Sequence, residues 1–159
     1  MQKLNRQELK KLMGHSGTHE TNQNHVKMLI HNFDYHPDQI SKKLMIEPHS
    51  IGVKGEPYEI GPPHNRIKKT HEYSYWEHEW KIFTNDFIGD IVEKYVNDFI
   101  KPNTSSLKEI AADCDMQFTV IQYYYDGCNP GFHFDKSVVQ ILSDLGASID
   151  IDLYCLSEE

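Results

Sequence analysis

The densest group of chemically active side chains lies in residues 123–135, which read YYYDGCNPGFHFD. His133 and Asp135 have the spacing that opens a facial triad for non-haem iron, and such a triad also needs a second histidine. No histidine follows His133 in the chain. We therefore expect structural roles, with His133 on a short extended segment and Asp135 at the N-cap of a helix.

A nucleophilic site in the same stretch is the alternative. Cys128 lies five residues before His133, so a cysteine–histidine pair across a turn is feasible, although a turn cysteine beside a histidine is more often incidental. The chain contains no GxSxG, P-loop or GxGxxG motif. We assign no catalytic residue. An enzyme or small-ligand binder would use residues 123–135 together with His78 or His133.

The ten histidines raise the question of a metal site. The sequence has no HExxH motif and no HxxxH pair on a predicted helix, and His71 and His78 fall on opposite faces of a predicted strand. We predict neither a metal site nor a cofactor.

The net charge of −8 is unevenly distributed. Residues 71–159 carry 17 acidic residues against five lysines, whereas residues 25–70 have a small basic excess. Phosphate is repelled by such a C-terminal half, so we expect no nucleic-acid binding. The same surface suits a basic protein partner, with plain solubility as the simpler explanation.

Composition and cysteine usage indicate the class of protein. The chain of 159 residues fits one domain, and its 38% of apolar residues can form a core. No apolar run approaches the length of a membrane span, and no signal-peptide pattern begins the chain. Three cysteines without a CxxC pair favour reduced thiols, so we expect a cytoplasmic protein.

Hydrophobic periodicity divides the chain into a polar N-terminal tail, residues 1–24, and one domain, residues 25–159. The predicted strands are 25–33, 49–55, 70–83, 116–125 and 147–154. The predicted helices are 34–48, 86–100, 106–114 and 135–146. Glycine and proline predict a loop over 54–70 and a turn over 126–131.

This order of elements predicts an α+β two-layer sandwich, with helices packed on a mostly antiparallel or mixed sheet. Two similar helices, each between strands, hint at a ferredoxin-like duplicated βαβ arrangement. Ser106 and Glu109 have the spacing of a capping box. The strand 116–125 is apolar on both faces, so we expect it to be central, and we expect Trp76 and Trp80 to be core residues.

Tyrosines are too numerous in two of the strands for all of them to be buried. Exposed tyrosine is favoured at protein interfaces. The candidate binding residues are Tyr73, Tyr75, Tyr123, Tyr125, Asp126, Asn129 and His133.

Three segments resemble the bacterial family of domains of unknown function DUF4279. They are HNFDYHPDQISKKLMIEPHSIGVKGEP, YSYWEHEW and TVIQYYYDGCNPGFHFDKSVVQILSDLGASIDIDLY, and the resemblance covers about residues 25–156. The chain differs by having Met45-Ile46 where the family usually has Gly-Ile, and by Cys128 within the turn. The resemblance implies a small bacterial cytoplasmic α+β domain and implies no reaction.

From these observations we expect a non-enzymatic protein that binds a basic protein partner. By analogy with small acidic immunity proteins, the partner could be a toxin. A third alternative is a purely structural domain of a larger assembly, such as a homodimer that pairs through an exposed sheet face or edge. The sequence is compatible with either a monomer or a homodimer.

Overall fold

The computed structural model describes residues 21–125 and 131–156. The strands are β1 (Gln23–Phe33), β2 (Ser50–Gly52), β3 (Pro57–Ile60), β4 (Ile67–Thr70), β5 (Ser74–Phe83), β6 (Asp115–Tyr125) and β7 (Ser148–Leu156). The α-helices are α1 (Asp38–Leu44), α2 (Ile88–Tyr95), α3 (Thr104–Ile110) and α4 (Lys136–Asp144). A π-helical turn, Val96–Ile100, and a 3₁₀ turn, Lys101–Asn103, join α2 to α3.

The main sheet is mixed, with the strand order β2-β5-β1-β6-β7. β1 is antiparallel to both β5 and β6, and β7 is parallel to β6. The α+β sandwich is therefore confirmed. The two units with a helix between strands are β1-α1-β2 and β6-α4-β7. In the first unit β5 separates the two strands, whereas in the second unit the two strands are direct neighbours. The units are therefore connected differently, and their duplication stays a prediction.

The core lies between one face of the sheet and the helices. Alternate residues of the three middle strands, such as Met28, Trp76 and Phe118, are fully buried there. The predicted stripe of the second helix is also buried, and it consists of Ile88, Ile91, Val92, Tyr95 and Phe99. Apolar side chains recur about every 3.6 residues along the helix and every second residue along the strands, so they all face the same layer and form one contiguous core.

Several predicted details are corrected by the structure. Residues 54–70 are not a loop, because β3 and β4 form an antiparallel hairpin that starts at Pro57, where a proline is tolerated. Ser106 does not cap a helix, since α3 begins at Thr104 and the Glu109 carboxylate instead accepts from Lys43 Nζ at 2.8 Å. The predicted central position of β6 is by contrast confirmed, since β6 lies inside the sheet between β1 and β7. Trp76 is buried, while Trp80 is only half-buried.

Helix ends follow the sequence signals more closely. Asp135 occupies the N-cap position of α4, although its side chain makes no capping hydrogen bond. Gly146 ends that helix with φ 65°, as predicted for the left-handed conformation. Met45 ends α1 with φ 56°, in the left-handed conformation that glycine adopts with the least strain.

Candidate functional site

The second face of the sheet carries polar and aromatic side chains, and none of the described helices covers it. We call it the open face. The strand residues that alternate with the core residues project from the open face, among them His25 and Lys27 of β1, Glu79 of β5 and Tyr123 of β6. β7 adds Asp150 and Asp152, which pair in register with the open-face residues Thr119 and Ile121.

A charged cluster around Glu79 occupies the middle of the open face. The Glu79 side chain is only 6% exposed and accepts from His25 Nδ1. Lys27 Nζ lies 3.3 Å from Glu79 Oε1, and His49 Nε2 lies 3.0 Å from Oε2. A buried carboxylate needs such partners, because an unpaired one would cost several kcal/mol of desolvation, of the order found for buried charges.

The ionisation of the cluster follows from its burial and its partners. Burial tends to raise the pKa of Glu79, but the hydrogen bonds and charges of His25 and Lys27 outweigh it, so the pKa lies below its usual value. Burial lowers the pKa of His25 against the opposing influence of Glu79. Near neutral pH the cluster thus holds an ionised Glu79 beside a neutral His25.

Both ring nitrogens of His25 have partners within the protein. Nδ1 donates to Glu79, and Nε2 is hydrogen-bonded to Gln23 Nε2, so the neutral ring with its proton on Nδ1 fits both contacts. His25 is therefore held in place and has no free basic nitrogen for proton transfer. These contacts order the middle of the open face.

Tyr123 lies at the end of the open face beside β7. Its ring stacks on Tyr154 with centroids 4.9 Å apart and contacts the edge of His25 at 5.9 Å. Burial, followed by the neighbouring Tyr154 and Asp152, raises the pKa of Tyr123. This candidate binding residue is thus a neutral, ordered phenol between the charged cluster and the outermost strand.

Tyr73 and Tyr75 line a groove at the other end of the open face, next to the β3–β4 hairpin. The groove has a volume of about 610 Å³ and is also lined by Tyr58, Lys69, Thr70, His71 and Glu72. His71 stacks on Tyr58 at 4.3 Å and meets the edge of Tyr75 at 5.5 Å. Gly52 permits this packing, because a Cβ there would lie 2.2 Å from the Tyr75 ring.

The predicted tyrosines do not form a single site. Tyr75 pairs with His31 and Tyr123 pairs with Gln23, eight residues apart on β1. At the rise of an antiparallel strand, this separation is about 27 Å. The structure therefore puts Tyr73 and Tyr75 at the hairpin and Tyr123 at β7, on the same face of the sheet.

The other predicted site residues divide between the described and the undescribed parts of the chain. Asp126, Cys128 and Asn129 lie outside the described residues. His133 is 71% exposed, and its Nε2 lies 3.2 Å from Asp135 Oδ1. The backbone N–H of Tyr125 donates to Asn22 Oδ1 at 3.1 Å.

His78 lies on the opposite side of the sheet from Tyr123. Its ring stacks on Phe99 with centroids 4.0 Å apart, and its Nδ1 lies 2.9 Å from the hydroxyl oxygen of Tyr95. The Tyr95 hydroxyl in turn donates to the backbone carbonyl of His78 at 3.1 Å. His78 therefore belongs to the aromatic core, and the sheet itself separates it from Tyr123.

The sequence analysis missed the cluster around Glu79. Its members are far apart in the chain, and only the pairing of β1 with β5 brings Lys27 opposite Glu79. Polar residues at alternate positions of β1, flanked by buried apolar ones, were the available signal. In residues 21–125 and 131–156, no group of three or more His, Cys, Asp or Glu side chains could hold a metal ion.

Comparison with known proteins adds a family. A family model described as a domain of unknown function (DUF4279) matches residues 19–156, nearly the whole chain. No curated protein and no solved structure shows significant similarity to this chain. Within the described residues, no helix has the length and apolar character to cross a membrane.

Proposed function

Since the chain belongs to the family of domains of unknown function DUF4279, whose description states no activity, we propose a function from the open face: non-enzymatic binding of a basic protein partner. The observation that carries this proposal is the composition of β7. It presents Asp150 and Asp152 beside the stacked Tyr123 and Tyr154, at the outermost position of the sheet.

The chemistry of this surface fits a protein partner with lysines or arginines. Tyr154 is exposed, and tyrosine supplies a large contact area at a small cost in side-chain entropy. The two aspartates are not neutralised by a lysine or arginine in the described structure, although Asp150 accepts from Gln117 Nε2 at 3.2 Å. Such a surface attracts a basic partner and repels phosphate.

Several finer expectations belong to the same proposal. A basic toxin is a partner class that the acidic β7 surface would suit, which would make the domain immunity-like. We place the protein in the cytoplasm, where Cys114 and Cys155 would stay as the free thiols seen in the structure. No cofactor is part of the proposed activity.

The test is affinity capture from the source lysate with a double charge reversal, Asp150→Lys with Asp152→Lys. The control is Glu47→Lys with Glu56→Lys. It makes the same charge change at exposed positions that flank β2, the edge strand on the opposite side of the sheet from β7. We expect a stoichiometric basic partner that the wild type and the control retain and that the β7 variant loses. Equal retention by both variants would place the interface elsewhere, and no partner at any salt concentration would overturn the proposal.

A second candidate function, binding of a small ligand, is favoured by the groove beside the hairpin. Three tyrosines, His71 and the oppositely charged Lys69 and Glu72 line it. A flat or zwitterionic molecule would meet both aromatic walls and charges there. Thermal-shift screening of aromatic amino acids and amines tests this, with Tyr73→Ala as the matched variant. A ligand that stabilises the wild type but not the variant would favour the groove.

A further inference from the structure

The outer edge of β7 is long and unpaired in the described part of the chain. β7 has nine residues and pairs with β6 without a register shift from Ser148 to Leu156, and it is the last strand in the sheet order. The opposite edge strand, β2, has only three residues. An edge of this length presents a row of backbone N–H and C=O groups to an additional strand.

β7 has few of the features that block strand addition. Proteins protect edges with proline, bulges, very short strands or charged side chains, and of these the segment SIDIDLYCL has only its two aspartates. Ile149 and Ile151 are each 41% exposed, which adds an apolar side to the edge. The charges of the two aspartates therefore influence which strand can pair with this edge.

The charges of β7 argue against a second copy of this chain as that occupant. If two β7 strands paired antiparallel about Ile151, Asp150 of each strand would lie opposite Asp152 of the other. Like charges directly opposite each other on neighbouring strands are destabilising. The charges therefore disfavour self-pairing in this register, and the edge suits a strand of opposite charge.

Resting on the proposed function, we infer that the partner binds by strand addition: it supplies an extended segment of alternating basic and apolar residues that pairs with the outer edge of β7. Successive residues of β7 point to opposite faces of the sheet, with Asp150 and Asp152 on the open face and Ile149 and Ile151 on the other. An added strand has the same alternation, so its basic residues lie beside the aspartates and its apolar residues beside the isoleucines. Backbone hydrogen bonds supply affinity, and the side-chain alternation supplies specificity.

The test uses three synthetic eight-residue peptides and the full chain. The first alternates lysine and valine, the second has the same composition in two blocks, and the third is the alternating peptide with N-methyl groups at every second amide. Binding is measured by fluorescence anisotropy. Residue-resolved hydrogen exchange reports the β7 amides, of which every second one points away from β6 in a parallel pair.

We expect the alternating peptide to bind, and the block peptide to bind at least about tenfold more weakly because it cannot satisfy both faces at once. Protection should increase at every second amide of β7. N-methylation on the pairing edge should abolish binding, and Asp150→Lys with Asp152→Lys should weaken it by about tenfold or more.

The outcomes separate the binding mode from the function. Equal binding of the alternating and block peptides, without new protection on β7, would overturn strand addition while leaving a charge-based protein interface in place. Strand addition would likewise be wrong if no peptide bound although the charge reversal still removed the partner in affinity capture. Failure of both experiments would overturn the proposed function as well.

Discussion

Replacing Glu79 with glutamine should destabilise the protein through loss of one buried charge. Glutamine keeps the shape of the side chain but removes the negative charge that Lys27, His25 and His49 surround. Lys27 is 22% exposed on its side chain and would then lose its closest counter-charge. The variant thus leaves a mostly buried ammonium whose remaining counter-charge is the more distant Glu77 carboxylate, 3.7 Å from Lys27 Nζ.

The expected magnitude lies between the values for buried and for exposed ion pairs. Removing one partner of a fully buried pair costs about 3–5 kcal/mol, and an exposed pair contributes about 0–1 kcal/mol. Glu79 is buried, Lys27 is mostly buried and His49 is 55% exposed, so we expect a loss of about 2–3 kcal/mol in the free energy of unfolding. In a chain of this length, that loss corresponds to a fall in Tm of about 4–12 °C.

The effect should depend on pH with a defined sign. The pKa of Glu79 is lowered by folding, so its contribution is fully present above the unfolded pKa near 4.3 and is lost as the pH falls through the folded pKa. The pKa of His25 is also lowered, so below about pH 6.5 the unfolded chain binds a proton that the folded chain does not. Wild-type stability should therefore fall on acidification, and its advantage over Glu79→Gln should shrink below about pH 4.

The assay is urea unfolding at pH 7.5, 5.5 and 4, followed by circular dichroism. The matched control is Glu77→Gln, because Glu77 lies 3.7 Å from Lys27 Nζ and accepts from Ser50 Oγ at 3.2 Å. This control substitution should lower the free energy of unfolding by no more than about 1 kcal/mol. Lys27→Met completes a double-mutant cycle with Glu79→Gln and measures their coupling. Equal costs for Glu79→Gln and Glu77→Gln at pH 7.5 would refute the buried-charge explanation.

Three further predictions concern the backbone, the core and a thiol. Met45→Gly should raise the free energy of unfolding by about 0.5–1 kcal/mol in urea titration, because Met45 has φ 56° and is 91% exposed; an unchanged midpoint would contradict strain at this site. Tyr95→Phe should cost about 1–2 kcal/mol, because it leaves His78 Nδ1 without its partner, and a neutral result would show that another group replaces the hydroxyl. Burial raises the pKa of Cys114 to about 11, so in a variant with the other cysteines changed to serine, iodoacetamide should modify it far more slowly at pH 8 than it modifies glutathione.

Local patterns in the sequence predicted most of the elements of the fold. The apolar stripe of α2, the alternation in β5, the apolar run of β6 and the left-handed glycine after α4 all reflect neighbours within a few residues in the chain. The β3–β4 hairpin was missed because its strands have four residues each and lie among glycines and prolines, so the turn signals outweighed their short alternation. The capping box at Ser106 was wrong because a 3₁₀ turn, Lys101–Asn103, contains Pro102 and leads directly into α3, which already begins at Thr104.

The candidate site was much less accessible to sequence reasoning. Residues 123–135 attracted attention because they combine many reactive side chains, yet His133 is exposed beside Asp135. His78, the other histidine considered, is half-buried on the opposite side of the sheet. Tyr73, Tyr75 and Tyr123 do lie on the open face, but at two separate ends. Parity along a strand assigns a side chain to one of two faces, and it does not say which residue of another strand lies beside it.

The sequence by itself determined the α+β class, the helix stripes and the acidic alternation of the last strand, because these depend on periodicity and composition. Only the tertiary structure decided that β7 is an edge strand and that Glu79 meets Lys27, His25 and His49. Strand order and register are non-local, since they depend on which distant segments bury their apolar faces together. The same nine residues, SIDIDLYCL, would be an ordinary interior strand if another strand paired with their outer edge.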